Sequence, residues 1–129
     1  MWCIYAGLHI RSSGMDADKY RRGARLFHVL SHAARLQILD ELRRRESCVC
    51  HLQAVVGRPQ PYISQQLRVL REAGLIENYR DGSFVFYRLA DDQVARLLEE
   101  VLGPAREPVG FPACSCPCCR EEPSQAMPV

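Results

Sequence analysis

From Asp16 onward, apolar residues recur at helical spacing in segments separated by glycine, proline and serine. Leu26, Phe27 and Leu30 share one helical face, and Ser31 then reads as the N-cap of a second helix carrying Ala34, Ile38 and Leu42, with Leu39 beside them. A short helix is expected from Val49 to Val56, ending at Gly57, a natural C-terminal residue for a helix. In RPQPYISQQLRVLREAG, Ile63, Leu67 and Leu70 stand at i, i+4 and i+7, and Gly74 closes the segment. After Gly74 the period changes to two. LIENYRDGSFVFYRLA holds two β-prone runs about an Asp81-Gly82 pair, a strong hairpin signal. Asp91 or Asp92 then caps an amphipathic helix with Val94, Leu97, Leu98, Val101 and Leu102, ended by Gly103-Pro104.

Two short helices joined by a glycine turn and followed by a β-hairpin predict a winged helix-turn-helix. The fold class is therefore α+β, mainly α, with the terminal helices available for a dimer interface. Residues 16–103 form the expected DNA-binding and dimerisation domain. Residues 1–15 form an N-terminal extension, either a flexible arm or a stretch ahead of a true start at Met15. Residues 104–129 form a proline-rich, polar tail with four of the seven cysteines and no expected structure of its own.

Composition narrows the partners. A length of 129 residues with 47% hydrophobic and 25% charged residues suits one domain. The net charge is only +2, so a nucleic-acid footprint has to be local. No apolar run reaches the roughly 18 to 20 residues of a membrane helix, and the N-terminus lacks the basic start of a signal peptide. Seven cysteines without an export signal place the expected protein in the cytoplasm, where thiols serve as ligands or redox groups.

In a winged helix the second helix of the helix-turn-helix enters the major groove and the hairpin tip reaches the adjacent backbone. From Arg58 to Arg71 there are three arginines and no acid. Gln60, Tyr62, Ser64, Gln65 and Arg68, with Gln66 beside them, supply hydrogen-bonding groups for bases and phosphates. Arg80 and Ser83 flank the hairpin tip, while Phe84, Phe86 and Tyr87 are expected in hairpin and core packing. One winged helix offers a small footprint, so a homodimer on double-stranded operator DNA is expected. The stripe 94–102 and the face with Leu26 and Phe27 serve either as its interface or as packing within one subunit. No nucleophile stands beside a positioned base and no phosphate loop is present, so the chain reads as a non-enzyme.

SCVCHLQAVVGRPQPYISQQLRVLREAGLIENYRDGSFVFYRL resembles the ArsR/SmtB family of metal-responsive repressors. The resemblance rests on CVC at 48–50, Leu52, Gly57, Gln60-Pro61, Ser64, Leu67, LREAGLI at 70–76 and RDGSFVFYRL at 80–89, with SHAARLQIL at 31–39 fitting the preceding helix. It implies a homodimer that holds its operator until a metal ion binds. Four positions depart from the family pattern. His51 replaces the usual acid after CVC, and Gln53 replaces the third cysteine of arsenic sensors that complete their site on this helix. Gln66 replaces a histidine late in the recognition helix, and Pro59 a capping serine. The final helix, 92–102, lacks the histidines of members that bind zinc there.

Cys48 and Cys50 sit where helix N–H groups and dipole favour thiolate, the form that binds soft ions. Residues i and i+2 do not share a helical face, so the pair converges only where the helix is still unwound. A pyramidal As(III) or Sb(III) site wants three sulfurs, and Cd(II) or Zn(II) four ligands. The expected completion comes from Cys114, Cys116, Cys118 and Cys119 in the tail, with Cys3 as a further candidate; His51 is expected as a surface or core histidine, with a nitrogen ligand as the alternative. The expected inducer is As(III) or Sb(III). The alternatives are Cd(II), Pb(II) or Zn(II), or a disulfide-forming redox switch. His28 and His32 are expected to pack or cap.

Overall fold

Eleven buried aliphatic side chains hold the domain together: Ile38, Leu39, Leu42, Leu52, Ile63, Leu67, Leu70, Leu75, Ile76, Val94 and Leu98. They come from every helix but the first, from one strand of a small sheet and, at Leu75, from the turn between them. The computed structural model describes residues 14–106, with side chains described from residue 17. The elements are α1 (Gly14–Leu30), α2 (Ala33–Arg44), β1 (Ser47–Cys48), α3 (Val49–Val56), α4 (Gln60–Glu72), β2 (Ile76–Asp81), β3 (Phe84–Leu89) and α5 (Asp92–Leu102). This is the expected winged helix, with α3 and α4 as the helix-turn-helix and β2–β3 as the wing. Cys3, the four tail cysteines and most of both terminal extensions lie outside the described residues.

The helix boundaries follow local chemistry, with one correction. Gly57 ends α3 in the left-handed conformation at φ 73°, its N–H donating to the Gln53 carbonyl at 2.8 Å. Pro59 precedes α4 without a side-chain cap, and its fixed φ of −61° launches the helix instead. Asp91 caps α5 by accepting from the Gln93 N–H at 2.8 Å. Ser31, however, is not the N-cap of α2. That position belongs to His32, which makes no side-chain cap bond, and the Ser31 hydroxyl donates backward to the His28 carbonyl at 2.7 Å. Serine thus closes α1, because its short side chain reaches the preceding carbonyl one residue too early to serve the next helix.

The wing differs from expectation in register and in strand number. Asp81 pairs with Phe84, so the two turn residues are Gly82 and Ser83, one place beyond the predicted pair. Only Gly82 has positive φ, at 63°, the arrangement of a type II′ hairpin. A third strand, β1, lies against β3 with Ser47 opposite Tyr87 and Cys48 opposite Phe86, giving the sheet order β1-β3-β2. Two residues carry no readable period, which is why this strand has no signature in the sequence. Of the aromatics, Tyr87 packs on the core and Phe86 stacks on Tyr79 at 5.7 Å, but Phe84 is exposed beside the turn.

Leu67 is 1% exposed and sits centrally among the helices. Leu67→Ala is expected to cost about 2–5 kcal/mol. Chemical denaturation should show a lower midpoint with an unchanged slope, the mark of lost packing in an otherwise intact fold.

Candidate nucleic-acid interface and thiol site

Burying Ile63, Leu67 and Leu70 on one side of α4 turns Gln60, Ser64, Gln65 and Arg68 to solvent on the other. Gln60, Ser64 and Arg68 follow one another at i, i+4 and i+8, with Gln65 alongside, so they form one stripe. Tyr62 is half-buried at the flank, and the Arg58 guanidinium lies over its ring at 4.1 Å. Arg68 Nε donates to Glu72 Oε2 at 3.1 Å, a solvent-exposed pair that water screens and a phosphate could displace. Arg80 and Ser83 are exposed at the wing tip.

Gln66 does not belong to this stripe. It is half-buried, and its Oε1 accepts from Arg35 Nε at 2.8 Å, while Arg35 Nη1 donates to the Val29 carbonyl at 3.1 Å. The substitution noted in the recognition helix is therefore absorbed by an internal contact with α2. Its long range, across 31 residues, hides it from sequence periodicity.

At the other end of the helix-turn-helix, Cys48 is the last residue of β1 and the N-cap of α3, with φ −88° and ψ 170°. Its extended backbone fits the expected unwound helix start. The two thiols differ in access: Cys48 is 4% exposed, whereas Cys50, in the first turn of α3, is exposed. No acid stands in that first turn. Soft thiolates suit a thiophilic ion. Among the described residues, however, no group of three or more cysteine, histidine or acidic side chains is arranged to hold a metal.

His51 follows the thiols but points inward. It is fully buried, with Nε2 at 2.6 Å from Oε2 of the equally buried Glu41. Glu41 Oε1 also accepts from Arg44 Nη1 at 3.3 Å, and Arg44 Nη2 reaches Asp40 at 2.9 Å. A polar chain thus backs α3 against the end of α2, and His51 has a structural role there. His28 and His32 are both exposed, their rings edge to face at 6.3 Å, so neither packs in the core.

The thiol site also adjoins the wing. Glu46, immediately before β1, accepts a short hydrogen bond from the Tyr79 hydroxyl, which pushes the phenol above its ordinary pKa. The Arg88 guanidinium lies over the Tyr79 ring at 5.0 Å, and its Nε donates to Glu77 at 2.7 Å. Tyr20 and Phe27 of α1 and Val101 and Leu102 of α5 are large exposed hydrophobics. Leu26, Val29 and Leu30, with Val94 and Leu98, pack within the subunit. The inner faces of the terminal helices thus pack within the subunit, and their outer faces are exposed.

The buried pair behind α3 gives a direct test. Glu41→Leu and His51→Leu are each expected to cost about 1–3 kcal/mol by leaving the other's polar atom without its partner. The double variant should lose clearly less than the sum of the two, measured as a double-mutant cycle in denaturant.

Residues 32–78 match the profile of the arsR family of bacterial regulatory proteins. A biofilm growth-associated repressor from Agrobacterium fabrum is 46% identical over 74 residues, which cover 57% of this chain and 63% of the relative's length. A transcriptional repressor SmtB homolog from Synechocystis is 37% identical over 93 residues, covering 72% of this chain and 70% of that one. Among solved structures, the homodimeric winged helix-turn-helix DNA-binding domain of a possible ArsR-family regulator from Mycobacterium bovis is similar at a TM-score of 0.65. That domain is 34% identical, with 71% of this chain and 85% of its own covered.

Proposed function

This chain belongs to the ArsR family of bacterial regulatory proteins, and we propose that it is a homodimeric, metal-responsive repressor that leaves its operator when a thiophilic ion binds at Cys48 and Cys50. It works as a DNA-binding regulator in the cytoplasm, not as an enzyme. The observation that carries this reading is the double role of Cys48. One residue ends the strand paired to the wing and occupies the N-cap position of the helix that leads through Gly57 into α4.

The DNA contacts follow from the exposed stripe. Gln60, Ser64, Gln65 and Arg68, flanked by Tyr62, face the major groove, and Arg80 and Ser83 reach the neighbouring phosphates. The exposed Tyr20, Phe27, Val101 and Leu102 support a second copy of the chain as the partner, since a stable dimer needs an apolar core to its interface.

The ion is completed from outside α3. Cys114, Cys116, Cys118 and Cys119 supply the further sulfurs, in the same or the partner subunit, and As(III) or Sb(III) is the inducer that three-sulfur coordination favours. Cd(II), Pb(II) or Zn(II) would draw on four of the same ligands. Because Cys48 is buried and Cys50 exposed, capture by both thiols requires movement at β1. An ion that binds the DNA-free form about a hundredfold better weakens DNA affinity by the same factor, about 2.7 kcal/mol.

The test is a mobility-shift titration on a duplex the protein selects from a random library, with As(III), Sb(III), Cd(II), Zn(II) and peroxide in parallel. As(III) or Sb(III) should release the native protein, while Cys48→Ser should hold DNA normally and ignore the ion. Release by peroxide alone, or loss of DNA binding in Cys48→Ser, would overturn the metal reading. On the same duplex, Arg68→Ala should weaken binding by about 1–3 kcal/mol and relax one base preference. Arg80→Ala should weaken binding evenly across sequences and lower the salt slope by about 1.

A further inference from the structure

Arg35 joins three elements through one guanidinium. It stands on α2, donates from Nη1 to the Val29 carbonyl in the last turn of α1 at 3.1 Å, and donates from Nε to Gln66 Oε1 on α4 at 2.8 Å. Both Arg35 and Gln66 are half-buried, and the contact bridges 31 residues of chain. The helices it connects have different outward tasks. α1 carries the exposed Tyr20 and Phe27, and α4 carries the exposed polar stripe at Gln60, Ser64, Gln65 and Arg68. A planar donor fork with two fixed acceptors resists rotation about either bond, which a lysine or a single hydrogen bond would not.

We infer that the Arg35–Gln66 strut fixes the angle of the recognition helix against the dimerisation helix, and so sets which spacing between half-sites this repressor accepts. The inference rests on the DNA-binding homodimer proposed above. Gln66 is then a positioning residue that acts on specificity through geometry and touches no base.

The scale of the effect supports this role. α4 has 13 residues, so it is about 20 Å long, and a tilt of about 10° displaces one end by about 3 Å, close to the roughly 3.4 Å rise of one base pair. Two-fold symmetry applies the same tilt to both recognition helices, which doubles the error across a paired site. A modest loss of angular definition therefore costs register between half-sites before it costs contacts within one.

The experiment uses the full chain and the duplex it selects from a random double-stranded library. A series is then made with the two half-sites moved one or two base pairs closer or farther apart. The native protein should lose about tenfold in affinity per base pair of displacement, on the scale of one mismatched pair. Gln66→Leu and Arg35→Met should flatten this profile to within about threefold, while selecting the same half-site bases. Gln66→Glu keeps an acceptor for Arg35 and should restore the native profile. Thermal unfolding followed by circular dichroism establishes that each variant is folded, and if Arg35→Met is not, the comparison of Gln66→Leu with Gln66→Glu decides.

A native spacing profile in Gln66→Leu would overturn the strut. So would failure of Gln66→Glu to restore it, or a change in preferred bases with the spacing profile intact, which would make Gln66 a base reader. If the native chain selects no sequence at all, the DNA-binding reading itself falls, and the strut's role in spacing falls with it.

Discussion

The backbone pairing of Cys48 with Phe86 is the constraint on which the functional half of the domain depends. A two-stranded hairpin is marginal in water on its own, and β2–β3 extends from the core with an exposed turn. Adding β1 gives the wing a third strand and ties it to the start of α3. The same extended conformation lets Cys48 stand as the cap of that helix. Had the helix begun one residue earlier, Cys48 would have left the sheet, and the wing and α3 would have lost their shared residue.

Behind that junction the structure is stiff. The Glu41–His51 pair is fully buried, and breaking it would remove a hydrogen bond from groups that water does not reach. Arg43 adds a second brace, donating from Nη1 to the Gly103 carbonyl at 2.9 Å and pairing with Asp40. The end of α2 is thereby fixed both to α3 and to the end of α5. In front of the junction the contacts are of another kind. Glu46, Tyr79, Arg88 and Glu77 form their chain in the open, where solvent screens each charge. The thiols sit between a face that holds and a face that can yield.

The parts of this arrangement legible in the sequence are those written in neighbouring residues. Val49–Val56 ends at Gly57 because glycine alone takes the left-handed turn at no steric cost, and the core positions of α4 follow from a period of 3.6. The hairpin was visible for the same reason, although its register moved by one because the paired strands, not the dipeptide, decide which two residues turn. What escaped was set by partners far along the chain. β1 exists only because β3 is there to receive it, and Gln66 is turned aside by Arg35. Ser31 shows the limit at short range, where a hydroxyl can serve the helix before it or the one after.

These two classes of contact explain how a sensor of this build could respond without unfolding. An ion that prefers the DNA-free form supplies only its differential affinity for the two states, whatever its total affinity. That difference, a few kcal/mol at most, is too small to dismantle a core of buried leucines and a buried polar pair. It is sufficient to shift a two-residue strand and an exposed, screened cluster beside it. In such a response the parts to move would be β1 and the base of the wing, with the recognition helix following as far as its contact with Arg35 permits. On this view induction would be a local change of edge pairing, transmitted outward along β3 to Ser83 at the turn and to Arg80 on the paired strand β2, and forward through Gly57 to α4.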